Sequence, residues 1–202
     1  MAFDSPAALD YSVRERAGTV ADQEFDYDLL VKPVEGRMMR AVWRIVRHRE
    51  AAEDALQDAL AVVWKKRDAV ARHPMPEALI MRIAVTAAID VLRRDRRRLR
   101  HEAPGLADDR VGDPASTTVR DYEARDLRSA VIEAIGRLPR RQATAVLLHV
   151  IEEQPYVDVA RAMGCSESTA RVHLMRGRAA LARSLARRSS GLPGEDGKGG
   201  VS

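Results

Sequence analysis

The chain has 202 residues, 46% of them hydrophobic and 32% charged, and a formal net charge of +4. That apolar content suits one or two small soluble domains and is too high for a wholly disordered chain. A single cysteine, Cys165, excludes an internal disulfide framework and any cysteine-based zinc cluster.

Residues 1–22 carry no sustained hydrophobic period and are expected to form a disordered tail. Asp4, Asp10 and Glu15 stand where a signal peptide would need an apolar stretch. No later run reaches the roughly 18 apolar residues of a membrane span, so a cytoplasmic location is expected. From Phe25 onward, Leu29, Leu30, Val34, Met38, Val42, Ile45 and Val46 recur at steps of three and four, forming one helical stripe interrupted near Pro33 and Gly36. A second helix is predicted over 50–66, with Ala55, Leu56, Ala59, Leu60, Val63 and Trp64 facing inward. On its outer side Asp54, Gln57 and Asp58 fall at i, i+3 and i+4 and share one face, flanked by Glu50 and Glu53. His73-Pro74-Met75-Pro76 cannot continue a helix. A third helix is predicted over 77–99 through Leu79, Ile80, Ile83, Ala84, Ala87, Ile89, Val91 and Leu92. It ends in a run in which six of the eight residues from Arg93 to Arg100 are arginine. Cations complement a helix C-terminus; a solvated surface would look the same, but phosphate binding is the functional reading. An acidic face and a basic ridge on one small domain suit simultaneous contact with a basic protein surface and with DNA.

Between residues 102 and 118 the apolar period disappears, and Ala103-Pro104-Gly105, Gly112-Asp113-Pro114 and Ser116-Thr117-Thr118 are turn formers. Such a stretch is a linker rather than part of a compact domain. Helices are then predicted over 119–136, 139–152, 156–163 and 166–186, followed by a glycine-rich, disordered tail over 189–202. The expected architecture is all-α: a helical domain over 23–100, a flexible linker over 101–119 and a second helical domain over 120–188.

Residues 158–178, DVARAMGCSESTARVHLMRGR, form a helix-turn-helix pattern. Val159, Ala160 and Met163 line a short amphipathic helix, Gly164 permits the left-handed end, and Ser166 is suited to cap the next helix. That helix buries Ala170, Leu174, Gly177 and Leu181 and presents Ser168, Arg171, Val172, Met175, Arg176 and Arg178 on its other side. An ordinary helical hairpin with a solvated basic face shares part of this pattern. Small residue, glycine, capping serine and basic outer face together favour a recognition helix laid in the major groove. Arg171 is the candidate for base edges, and Arg176 and Arg178 for the DNA backbone. His173 is a packing or phosphate neighbour rather than a ligand.

The two blocks, in this order, resemble a sigma factor of RNA polymerase of the extracytoplasmic-function (ECF) type. The first block carries Ala52-Glu53-Asp54, Gln57-Asp58, Trp64, Ile83-Ala84, Asp90 and Arg93-Arg94. The second carries Leu138-Pro139, Tyr156, Val159-Ala160, Gly164, Ser166, Thr169, Leu174, Arg176 and Arg178. The resemblance implies that Glu53, Asp54, Gln57 and Asp58 dock on the clamp coiled coil of the β′ subunit of core RNA polymerase. It implies that the loop around Arg67 to Pro76 and the helix from Glu77 to Arg98, which bears Thr86, Arg93, Arg94 and Arg97, read and help melt the −10 promoter element. The helix-turn-helix would read the −35 element beside the β flap, and an anti-sigma factor would hold the protein inactive between promoters. The chain departs from the family pattern at Ala78-Leu79, where tryptophan–leucine is usual, and at Val85-Thr86, where arginine–asparagine is usual. It also departs at Ala143, where arginine is frequent, at Ala170, where valine is common, and at Pro155, where serine is usual.

A stand-alone helix-turn-helix regulator is the alternative, but it would not need the Asp54-Gln57-Asp58 face. Enzyme chemistry has little support, and no cofactor or small-molecule substrate is expected. His48, His73, His101, His149 and His173 lack metal-ligand spacing, and the glycines from Gly191 to the Lys198 region do not form a phosphate loop.

Overall fold

The computed structural model describes residues 24–101 and 119–189. The expected tail over 1–22, residues 190–202 of the expected tail over 189–202 and the linker core over 102–118 lie outside the described residues, whereas Ser189 is the last residue of a helix. The elements are α1 (Tyr27–Leu30), α2 (Lys32–Val46), α3 (Arg49–Lys65), α4 (Arg67–Ala71), α5 (Pro76–His101), α6 (Val119–Arg137), α7 (Arg140–Val146), a π-helix (Leu147–Ile151), α8 (Tyr156–Met163) and α9 (Glu167–Ser189). The described residues contain helices and no strand.

Local chemistry sets the boundaries. Asp26 caps α1 by accepting from the Leu29 amide at 3.1 Å. The break expected near Pro33 falls at Val31, with the proline in the first turn of α2, where its missing donor costs nothing. Arg47, left-handed at φ 58°, ends α2, and His48 caps α3. Pro76 opens α5 in the same way that Pro33 opens α2.

Helix α5 is the spine. Ile80, Met81, Ala84, Val85, Ala88 and Ile89 are fully buried, so the helix is covered nearly all round. Helices α2 and α3 pack on one side of it, and α6, α7, the π-helix and α8 on the other. A single cluster of buried residues runs from Val31 in the first block to Leu174 in the second. The second block meets a defined strip of α5. Arg93 Nη2 donates to the Leu138 carbonyl at 2.7 Å, Arg140 pairs with Asp90, and the Leu92 Cβ lies against Gly136. Arg82, Val85, Ile89 and Arg93 recur at three- and four-residue steps on that strip. Arg44 of α2 adds a bond from Nη1 to the Ile151 carbonyl at 3.1 Å.

Two inward assignments are corrected. Leu29 is 71% exposed, because it precedes the break at Val31 and does not share the phase of α2. Trp64 is 59% exposed in the last turn of α3, where it packs edge-on with Phe25 and lies under the Arg67 guanidinium. The helix expected over 139–152 also changes character, since its α-helical part stops at Val146 and the π-helix follows.

Candidate nucleic-acid and protein interfaces

Helix α3 is amphipathic as expected. Ala52, Ala55, Leu56, Ala59 and Val63 are buried, and Glu53, Asp54, Gln57 and Asp58 are exposed on the opposite side. Arg49 Nε lies 3.0 Å from Glu53 Oε1, and Arg94 Nη2 lies 4.0 Å from Asp58 Oδ2. Both pairs are exposed and contribute little to stability. The second one links the acidic face of α3 to the basic end of α5.

The four candidates on α5 divide into two groups. Arg94 and Arg97 are exposed. Thr86 and Arg93 are half-buried and internally bonded: Thr86 Oγ1 donates to the Arg82 carbonyl at 2.7 Å, and Arg93 holds Leu138. Val85, at the position where arginine is usual, is fully buried on the strip that meets the second block. The polar-to-apolar change thus belongs to helix packing. Ala78, the other departure on α5, is buried too. Sequence reasoning passed over Arg82. Burial lowers its pKa first and Arg141 second, and its Nε is buried without a hydrogen-bond partner. Its place four residues before Thr86 was the available signal.

The helix-turn-helix is formed by α8 and α9. Val159, Ala160, Ala162 and Met163 are buried on α8, and Gly164 ends it at φ 62°. Ser166 Oγ accepts from the Thr169 amide at 3.2 Å, the capping role its position predicts. Ala170, Leu174 and Gly177 are buried and Leu181 is half-buried, while Ser168, Arg171, Val172, Met175, Arg176 and Arg178 all lie on the exposed side of α9. Gly177 permits a close helix crossing, since a Cβ there would come within 2.7 Å of Val146 Cγ2. His173 is half-buried, and its pKa is lowered by burial first, then by Arg141 and Arg176. Cys165 sits half-buried in the turn.

Arg171 is the most constrained member of this face. Glu167 Oε1 accepts from its Nε at 3.1 Å and its Nη2 at 2.5 Å, and its Cζ lies 4.1 Å from the centre of the Tyr156 ring. Tyr156 in turn stacks on His149, with centroids 4.3 Å apart. The i, i+4 spacing of Glu167 and Arg171 was legible; the aromatic support comes from other helices and left no local signature. Among the described residues no cluster of three or more His, Cys, Asp or Glu could hold a metal ion. No described helix is long and apolar enough to cross a membrane.

Comparison with known proteins gives the same two regions in the same order. Residues 30–98 match Sigma-70 region 2, and residues 128–181 match Sigma-70, region 4. The ECF RNA polymerase sigma factor SigM of Mycobacterium tuberculosis is 30% identical over 176 residues, covering 87% of this chain and 85% of that protein. The ECF RNA polymerase sigma factor SigE of Mycolicibacterium smegmatis is 29% identical over 167 residues, covering 81% of this chain and 63% of that protein. A chain from the co-crystal structure of the sigma factor RpoE with the anti-sigma factor NepR from Bartonella quintana is alike in fold. Its TM-score is 0.50 at 20% identity, over 81% of this chain and 98% of that one. The chain belongs to the ECF family of sigma-70 RNA polymerase sigma factors.

Proposed function

We propose that this sigma factor binds core RNA polymerase through Glu53, Asp54, Gln57 and Asp58 and engages promoter DNA through two further surfaces. Thr86, Arg93, Arg94 and Arg97 on α5 serve the −10 element. Ser168, Arg171, Val172, Met175, Arg176 and Arg178 on α9 serve the −35 element. The protein acts by binding, without catalysis of its own, in the cytoplasm, and an anti-sigma factor occupies it between rounds of initiation. The observation that carries this reading is one chain presenting an exposed acidic helix face beside a basic helix end, together with an arginine-bearing recognition helix. A free-standing regulator would have no use for the acidic face.

Core binding brings both DNA surfaces onto one rigid platform and raises the effective concentration of each. Because Arg93 is bonded to Leu138 and Asp90 to Arg140, the α5 surface is fully available only once the second block moves off it. The test is co-elution with bacterial core RNA polymerase, run beside the double variant Asp54→Arg/Asp58→Arg. The wild type should co-elute and the variant should elute alone with its fold intact. A wild type that elutes alone yet binds DNA would instead establish the free-standing regulator.

A further inference from the structure

The guanidinium of Arg171 is held before any DNA arrives. Tyr156 and Arg171 lie on different helices, yet the Arg171 Cζ is 4.1 Å from the ring centre and the His149 ring is stacked on the same ring at 4.3 Å with 27° between planes. Two groups that close to one ring centre need its opposite faces, so Tyr156 is sandwiched between an arginine and an imidazole. His149 is itself fixed. It stands on the π-helix, whose wide turn closes through the Glu152 amide to the Leu147 carbonyl at 3.1 Å, and its Nδ1 donates to the Gln154 carbonyl at 2.7 Å. π-Helical turns are rare and frequently mark functional positions. Glu167 holds one edge of the guanidinium through two of its five donors and leaves three for a ligand.

We propose that Tyr156, backed by His149, is a positioning residue that makes Arg171 a guanine-selecting side chain in the upstream promoter element. This rests on the reading of α9 as the recognition helix. Bidentate pairing with guanine O6 and N7 requires the guanidinium plane to lie in the plane of the base. A free arginine chain samples many rotamers and finds phosphate as readily as a base edge. Fixing the plane by stacking on a ring favours the base edge. The stack therefore governs base preference, while the charge alone governs general affinity for DNA.

These two quantities separate in the test. Holoenzyme reconstituted with core polymerase is used to select from a double-stranded DNA library randomised upstream of a fixed −10 segment. Wild type should enrich sites with a guanine at one position, by roughly five- to a hundredfold over other bases. Arg171→Ala and Tyr156→Leu should both lose that preference, and Tyr156→Phe, which keeps the ring, should retain it. The salt dependence of non-specific binding by Tyr156→Leu should match wild type, since no phosphate-neutralising charge has been removed. His149→Gln, which keeps a donor for Gln154 but removes the backing ring, gives the same test with Tyr156 left in place should Tyr156→Leu fail to fold. Guanine preference that Arg171→Ala loses but Tyr156→Leu and His149→Gln both keep would overturn the positioning role and leave the recognition helix standing. No base preference in the wild type, or one indifferent to Arg171, would overturn both.

Discussion

Replacing Gly177 with alanine should destabilise the protein, although alanine is the better helix former by about 1 kcal/mol. The new Cβ would stand 2.7 Å from Val146 Cγ2, 3.2 Å from the Gln142 carbonyl oxygen and 3.5 Å from Gln142 Cβ. Carbon pairs prefer roughly 3.5–4.0 Å, so the first contact is deep in the repulsive range. Val146 is buried at the end of α7, and the oxygen belongs to the backbone of the same helix, so neither neighbour can swing away. Overpacking of this kind costs about 1–3 kcal/mol. With a side chain and a backbone atom both involved, the upper part of that range applies. Subtracting the helix gain leaves a net loss of about 1–2 kcal/mol. Because both blocks share one core, thermal unfolding followed by circular dichroism should show a drop of the order of 2–8 °C. Val146→Ala relieves the shortest contact, so Gly177→Ala should cost less in that background than alone. A rise in Tm for Gly177→Ala would refute the rigid close crossing. Strict additivity with Val146→Ala would show that the strain lies elsewhere.

Ser166→Ala should lose about 0.5–2 kcal/mol in urea denaturation by orphaning the Thr169 amide, and Ser166→Asp should lose much less. Burial raises the pKa of Glu152 against the pull of Arg37, Arg44 and Arg40, so the folded protein holds that proton more tightly than the unfolded chain. Its contribution to stability is therefore lost as pH rises from the ordinary glutamate value through the raised one. Glu152→Gln should flatten the stability–pH profile over that window; an unchanged slope would count against the raised pKa. Arg140→Glu places like charges against Asp90 and should increase the distance between dyes on α3 and α9, with Asp90→Arg/Arg140→Glu restoring it. No change in either variant would show that this pair does not hold the blocks together.

Much of this was legible where one helix decides the matter. The Asp54, Gln57 and Asp58 face emerged because polar residues three and four apart must share a side of any helix. The turn between α8 and α9 emerged because Gly164 and Ser166 are chemically suited to left-handed and capping positions. Periodicity alone cannot say where burial stops, which is why Trp64 looked like core when the last turn of α3 leaves it exposed. It also cannot pair distant segments. The Arg93–Leu138 bond spans 45 residues and the Arg44–Ile151 bond spans 107, and neither arginine differs locally from its neighbours. Arg171 was visible as a basic residue on the right face. The tyrosine and histidine behind it come from separate elements, and the π-helical turn that orients His149 has no sequence rule behind it.

The packing of α5 against the second block, beside the DNA contact proposed for it, bears on how far this protein can be treated as interchangeable parts. Its Val85–Ile89 strip, buried against the second block, is apolar where a purely DNA-facing helix would be polar. A chimera that grafted a foreign region 4 onto this region 2 would have to cover that strip with side chains never selected to fit it. Where it failed to do so, the hybrid would expose an oily ridge when not bound to polymerase. Such a hybrid should express poorly and aggregate, whatever promoter specificity its new helix-turn-helix carried.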